Sequence, residues 1–164
     1  MKRNPISGLL IVFAIVFNSG ARAQEQRQPH RITVLKNVSV VALVGRSNDE
    51  AKLFSLSEIN EMLTEDLRAK LPELKISTEA NSCDTWLELS YVTSDRGMKA
   101  DLSLYRWVRI KDTGDEVFIP VWNQPTPLIT GQIDKAYFKA KIDDLMTAFA
   151  ADYGRANPAH PVKE

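Results

Sequence analysis

Acidic side chains are the groups in this sequence best suited to catalysis, and they gather at two places. Asp112 and Asp115 lie close to Glu116, and Asp143 is followed directly by Asp144. Paired carboxylates can act as general acid and base or bind calcium. The first cluster lacks the spaced oxygen ligands of a calcium loop, and neighbouring side chains on a helix diverge by about 100°. We interpret both clusters as solvated surface acids, although acids distant in sequence could still form a hydrolase site.

Histidine and cysteine are nearly absent from the chain. The only histidines are His30 and His160, each near a terminus, and Cys83 is the only cysteine. Cys83 is expected to be buried, with an intermolecular bridge as the alternative. The chain therefore lacks the residues for a Ser–His–Asp or Cys–His hydrolase and for a histidine or thiolate metal site. The scattered glycines form neither phosphate-binding pattern, GxxxxGK or GxGxxG. We predict no catalytic residue, no metal, no cofactor, and a protein that is not an enzyme.

The first 23 residues have the three parts of a secretory signal peptide. Lys2 and Arg3 form a basic start, residues 8–17 are continuously apolar, and Ala21 and Ala23 occupy the positions that a signal peptidase reads. The apolar run is too short to cross a bilayer, and no cysteine follows the cleavage site to carry a lipid. We expect cleavage after residue 23 and a soluble periplasmic or secreted protein, in a bacterial context, without a membrane anchor.

Cleavage makes the protein mildly acidic. The whole chain has 21 basic and 21 acidic residues, and residues 1–23 include three bases and no acid, which leaves a net charge of −3. Such a chain has no broad attraction for phosphate backbones, so nucleic acid is not an expected partner. Residues 24–164 are enough for one domain with its own core. We predict a flexible segment at 24–31, a single domain at 32–154 and a flexible tail at 155–164.

Hydrophobic periodicity predicts two helices and five strands. The first helix has an explicit start, because Ser55 and Glu58 form a capping box just before apolar residues at helical spacing. It ends before Pro72. The second helix covers 132–153, with Gly154 just past its end. The predicted strands are 32–44, 75–79, 86–92, 100–110 and 116–122, with residues 45–49 as a turn. The last three strands are joined by short turns and form an antiparallel meander.

This order of elements predicts an α+β fold. The economical arrangement is a two-layer sandwich, in which a mixed sheet carries both long helices on one face. Alternation along the meander then places Leu87, Leu89 and Leu104 toward the helices.

The opposite face of the meander carries every tryptophan of the sequence. By the same alternation it carries Trp86, Tyr105, Trp107, Arg109, Phe118 and Trp122, with Glu88, Ser90, Asp101 and Ser103 among them. Large rings flanked by arginine and hydroxyl groups are typical of recognition surfaces. The alternative is that a loop, the first strand or a second copy of the chain covers the rings, since a monomer seldom exposes so large an apolar patch.

We therefore expect an exported domain that binds a protein, a peptide or a glycan through this aromatic face or through a sheet edge. Two alternatives stay open. One is a carboxylate-dependent hydrolase of an extracellular polymer, which would need two acids facing each other across a cleft. The other is a structural homodimer whose aromatic faces bury each other.

Overall fold

The computed structural model describes residues 32–79 and 83–158 of the chain. In chain order its strands and long helices are β1 (Val40–Asp49), α1 (Leu56–Lys70), β2 (Lys75–Ser77), β3 (Thr85–Ser94), β4 (Gly97–Arg109), β5 (Glu116–Pro125), β6 (Ile129–Thr130) and α2 (Lys135–Ala156). The predicted signal peptide, the segment 24–31 and the end of the predicted tail lie outside the described residues.

The strands form one open, mixed sheet of six strands. Its order is β2-β1-β3-β4-β5, and β6 pairs with the start of β4. β1 runs parallel to β2 and β3, whereas β3, β4 and β5 form the predicted antiparallel meander. α1 packs against β1, α2 packs against β4 and β5, and the two helices contact each other. Both helices therefore lie on one face of the sheet, and the predicted two-layer α+β fold is confirmed.

The hydrophobic core lies between the sheet and the helices. Leu87, Leu89 and Leu104 from the sheet belong to one buried cluster with Phe138 and Phe149 of α2. Each such side chain contributes about 1.5–3 kcal/mol through removal of apolar surface from water. Across 32–79 and 83–158, no helix is both long enough and apolar enough to span a membrane.

The first strand begins later and ends later than the sequence predicted. Residues 32–38 form hydrogen-bonded turns, and Asn37 takes a positive φ of 62° just before the strand. Leu35 and Val38 of this segment are buried in the core without pairing in the sheet, and Ile32 and Val34 pack against it. At the other end, residues 45–49 continue β1 instead of turning. Helix α1 lies close above Gly45, and a Cβ at this position would be 3.3 Å from atoms of Ile59 and Asn60. Because glycine has no side chain, the strand can continue beneath the helix.

Helix α1 starts at the predicted capping box. The Ser55 Oγ accepts a hydrogen bond from the Glu58 backbone N–H at 3.2 Å, and a Glu58 carboxylate oxygen accepts one from the Ser55 N–H at 2.7 Å. These two bonds satisfy backbone donors that the helix itself cannot pair.

Helix α2 extends past the predicted end of the domain. It continues through Gly154 to Ala156, which is 5% exposed. The next residue, Asn157, donates from its side-chain amide to the backbone oxygens of Leu35 and Tyr153 at 3.0 and 3.1 Å. Residues 155–157 are therefore part of the folded domain and not of a tail. The Asn157 side chain ties the end of α2 to the turns before β1, a tertiary contact that helix periodicity does not reveal.

Candidate functional site

Four aromatic side chains form one cluster on the sheet face opposite the helices, which we call the outer face. Trp86 from β3, Tyr105 and Trp107 from β4, and Phe118 from β5 make up this aromatic platform. Phe118 lies at its centre, with ring centroids 4.9 Å from Trp86, 5.7 Å from Tyr105 and 5.2 Å from Trp107. The Tyr105 ring is stacked on the Phe118 ring with an interplanar angle of 22°, and the Trp86 ring meets the Phe118 ring edge-on with an interplanar angle of 68°. Offset and edge contacts of this kind each contribute about 0.5–1.5 kcal/mol.

Strand register brings these rings together. Trp86 pairs directly with Tyr105 across β3 and β4, and Trp107 pairs with Phe118 across β4 and β5. Alternation sends the residues beside them in the strands, such as Leu87 and Leu104, toward the helices. The rings therefore stand on three paired strands, which hold their relative positions fixed.

The four rings differ in how far they are exposed. Trp107 is 53% exposed, whereas Trp86, Tyr105 and Phe118 are half-buried. The Trp86 indole N–H donates to the backbone oxygen of Cys83 at 3.1 Å. Cys83 itself is half-buried, and its Sγ lies 3.1 Å from the backbone oxygen of Thr85. Trp107 thus presents a large planar surface to solvent on a base of packed rings.

Trp122 does not join this platform, contrary to the sequence prediction. β5 contains a bulge: Leu104 pairs with Trp122 and Tyr105 pairs with Pro120, so Val121 is an extra residue. The extra residue reverses the alternation and turns Trp122 toward α2. There its indole N–H donates to the Asp152 carboxylate at 2.9 Å, and its ring lies 5.2 Å from that of Phe149. Trp122 is only 2% exposed and belongs to the core.

Arg109 lies at the rim of the outer face, at the end of β4. Its guanidinium donates to the Glu116 carboxylate at 3.2 Å, and the two side chains are 72% and 58% exposed. Ion pairs as exposed as this one contribute little to stability. The pairing partly neutralises Arg109, so its charge is not wholly available to an acidic ligand.

A depression of about 370 Å³ lies at the same end of the sheet. Asp84, Arg106, Trp107 and Glu116 line it. The Arg106 guanidinium is held by the backbone oxygens of Val34 and Lys36 at 3.1 and 3.5 Å. Asp84 and Arg106 were not among the predicted site residues. The sequence did contain a signal for Asp84, because it precedes Trp86 by two residues and so falls on the same side of the strand. Arg106 directly precedes Trp107, and alternation places its side chain on the opposite side.

The outer face becomes polar on the other side of the platform. Glu88 is 5% exposed there, and its carboxylate accepts from the Arg46 guanidinium at 2.9 Å. Ser103 pairs with Glu88 across the strands and accepts a hydrogen bond from the Asn123 amide at 2.7 Å. The outer face therefore combines an aromatic half with a half of ordered polar groups.

Of the acids that first suggested catalysis, Glu116 lies at the depression and the other four lie elsewhere. Asp143 pairs with Lys70 at 2.6 Å and Asp144 pairs with Lys141 at 2.6 Å, both on the helical layer. Asp112 and Asp115 are exposed in the turn between β4 and β5. Within the part of the chain that the structure describes, no three His, Cys, Asp or Glu side chains come together to hold a metal ion.

Comparison with known proteins gives distant structural likenesses. No protein family matches the sequence, and no curated protein matches it. Among solved structures, the C-terminal domain of LpoB from Salmonella enterica matches at 12% identity and a TM-score of 0.37, over 65% of this chain and 95% of that one. An uncharacterised protein matches at 10% identity and a TM-score of 0.36, over 74% of this chain and 94% of that one. Matches this distant carry no functional argument.

Proposed function

We propose that this chain is an exported, non-enzymatic binding module that engages its partner through the aromatic platform and the adjoining depression. The observation that carries the proposal is Trp107, a half-exposed indole on a base of packed rings. Binding energy in recognition surfaces concentrates in large aromatic side chains held in fixed positions, because such rings bury much area and lose little entropy. Export rests on the signal-peptide prediction for residues 1–23.

Two further features of the platform support the proposal. Both long helices pack on the opposite face of the sheet, so they do not cover the rings. The neighbouring groups Arg109 and Glu116 supply the polar rim that recognition surfaces usually have.

A hydrolase is the second candidate, and one observation favours it. Asp84 and Glu116 line the same depression beside Trp107, as two carboxylates flanking a bound sugar would. The side chain of Glu116 is 58% exposed and ion-paired, whereas a general acid needs a desolvated carboxyl group. This environment suits a binding group better than a catalytic one. Release of reducing ends from a polysaccharide, lost in D84N and in E116Q, would make the hydrolase the better proposal.

Site-specific photocrosslinking in the producing cell tests the binding proposal. A photoreactive phenylalanine analogue replaces Trp107, and in a matched control it replaces Tyr137, an aromatic residue of α2 that is 41% exposed on the helical layer. We expect a discrete crosslinked product from position 107 and none from position 137. Mass spectrometry of the product identifies it as a protein, a peptide, a glycan or a second copy of the chain.

The outcomes separate the alternatives. Equal labelling from both positions, or none from position 107, would contradict a binding role for the platform. A product consisting of two copies of this chain would favour the structural homodimer.

A further inference from the structure

We infer that the outer edge of β5, over residues 116–119, binds an extended segment of a partner protein as an added strand. We call this stretch the open edge. The bound segment is apolar and carries a basic residue beside Glu116. This inference rests on the proposed binding function and names the chemistry of the partner, because the open edge borders the aromatic platform at Phe118.

Backbone groups of alternate β5 residues point away from the sheet. In an antiparallel pair, opposed residues that exchange hydrogen bonds alternate with residues whose backbone groups point to the other side. The Ile110 N–H donates to the Asp115 backbone oxygen at 2.7 Å, so this pair is of the first kind. By the same register Val117 also bonds to β4. Glu116 and Phe118 therefore direct their N–H and C=O groups outward.

The two prolines of β5 agree with this direction. Pro120 and Pro125 have no N–H to donate, and both fall at outward positions of the register. For Pro125 the position follows from the other end of the strand, where the Thr126 N–H donates to the Ala100 backbone oxygen at 2.8 Å. Neither proline therefore costs the sheet a hydrogen bond, and both remove donors from its outer edge.

Only one half of this outer edge is protected against pairing. Proteins blunt a sheet edge with prolines, bulges or charged side chains. Residues 120–125 carry both prolines and the bulge, whereas residues 116–119 carry only the charge of Glu116 at one end. In the described part of the chain, no strand pairs with β5 on its outer side. The half that borders the platform is therefore the half able to accept a strand.

The side chains of the open edge favour an apolar segment. An added strand would place alternate side chains on the two faces of the sheet. On the helical side they would lie beside Val117, which is half-buried, and Ile119, which is 40% exposed. On the outer face a side chain beside Phe118 would extend the aromatic platform. Backbone hydrogen bonds and apolar contacts on both faces are the two requirements of recognition by strand addition.

Charge sets the preference at one end of the segment. The Glu116 carboxylate is 58% exposed, although Arg109 pairs with it from the β4 side. The adjoining turn leaves a small negative excess, because residues 109–116 contain three acids and two bases: Asp112, Asp115 and Glu116 against Arg109 and Lys111. Opposite charges on neighbouring strands attract and like charges repel. A lysine or arginine beside Glu116 is therefore favoured over an acid.

Hydrogen exchange of the β5 amides, followed by NMR, tests the direction of the backbone groups. In the unbound protein the N–H groups of Glu116 and Phe118 should exchange faster than those of Val117 and Ile119, because only the latter two bond to β4. Slow exchange at all four positions would overturn the inference, since the outer edge would then already be paired.

A peptide that has one hydrogen-bonding edge tests the binding itself. The probe is a blocked peptide of about seven residues, a lysine followed by valine and threonine, with every second backbone nitrogen methylated so that copies of it cannot stack. We expect it to shift the amide signals of Glu116 and Phe118. The same peptide methylated at every nitrogen should not bind, because it has no donor left. Replacement of its lysine by glutamate should weaken binding about threefold.

Two substitutions at one position isolate the backbone donor. E116A and E116P both lose the carboxylate, but only E116P loses the N–H and places a ring in the path of the added strand. E116P should bind the probe about tenfold more weakly than E116A. V117P is the folding control, because the Val117 N–H bonds to β4: it should lower the melting temperature strongly, and E116P should not. A similar loss in both proline variants would overturn the inference.

Photocrosslinking from position 107 in cells separates this inference from the proposed function. We expect the crosslinked protein in the E116A background and its loss in the E116P background. If the product persists in E116P, the binding function stands and strand addition is wrong. If the product consists of two copies of this chain, the occupant is a second copy and the inference fails. If position 107 gives no product in either background, both proposals fail.

Discussion

The three tryptophans show how one residue type can lie in three different environments. Trp107 is 53% exposed, Trp86 is half-buried with its N–H bonded to Cys83, and Trp122 is buried and bonded to Asp152. The sequence placed all three on the outer face, because alternation was continued from Phe118 to Trp122. The bulge at Val121 shifts that alternation by one residue, and no local pattern in the sequence marks it. The bulge is explained by tertiary contacts, because in this register Trp122 contacts both Phe149 and Asp152 of α2.

This difference predicts unequal costs of truncation. W122A should lower the free energy of unfolding by about 3–5 kcal/mol, because it leaves a cavity in the core and removes one hydrogen bond to the Asp152 carboxylate, which keeps its ion pair with Arg155. W107A should cost only about 1 kcal/mol, the contribution of one aromatic contact with Phe118. Urea denaturation followed by circular dichroism measures both. Equal losses would mean that Trp107 is a core residue, which would remove the basis of the binding proposal.

At the scale of elements, the sequence predicted best where a local signal was complete. The capping box at Ser55 and Glu58 lies where the spacing placed it, and the meander strands occupy nearly their predicted positions. The predicted bounds of the first strand were wrong at both ends. Residues 32–38 are apolar enough for a strand, yet they serve as a turn that Asn157 and Arg106 hold through backbone oxygens. Such long-range contacts are absent from the periodicity of a single segment.

The capping box predicts a pH-dependent contribution to stability. Hydrogen bonds from Ser55 lower the pKa of Glu58 below its ordinary value, with Lys135 adding a smaller effect. A carboxyl group with a lowered pKa in the folded state stabilises the fold above its unfolded pKa, and this stabilisation is lost as the pH falls through the folded pKa.

The S55A variant tests this contribution. It should lose about 1 kcal/mol at neutral pH, because a helix cap is removed. The difference in unfolding free energy between S55A and the original protein should shrink in acid, because Glu58 is then protonated in both proteins. S57A is a matched control within the first turn, since Ser57 bonds only to a side chain, that of Glu61. Thermal unfolding across the pH range measures both variants, and a deficit independent of pH would contradict a role for the Glu58 charge.

At the scale of the whole molecule, the two faces of the sheet have different surroundings. Both long helices cover one face and enclose the core, and the other face carries the platform, the depression and the ordered polar groups around Glu88. The sequence predicted this division, since strand alternation and helix amphipathicity both report burial. It did not predict the depression, because Asp84 and Arg106 meet Trp107 and Glu116 only when the strand ends come together.

This division predicts that the protein is a monomer. A symmetric dimer through the outer face would place each depression against its copy and withdraw the charges of Asp84, Arg106, Arg109 and Glu116 from water in both. Desolvation of so many charges costs more than their mutual attraction returns unless their geometry is close to ideal. Native mass spectrometry, with and without reductant, should show a single copy, the reductant serving as a check on Cys83. A dimer that survives reductant and dissociates in W107A would contradict this prediction, because the indole would then be the centre of a self-association surface.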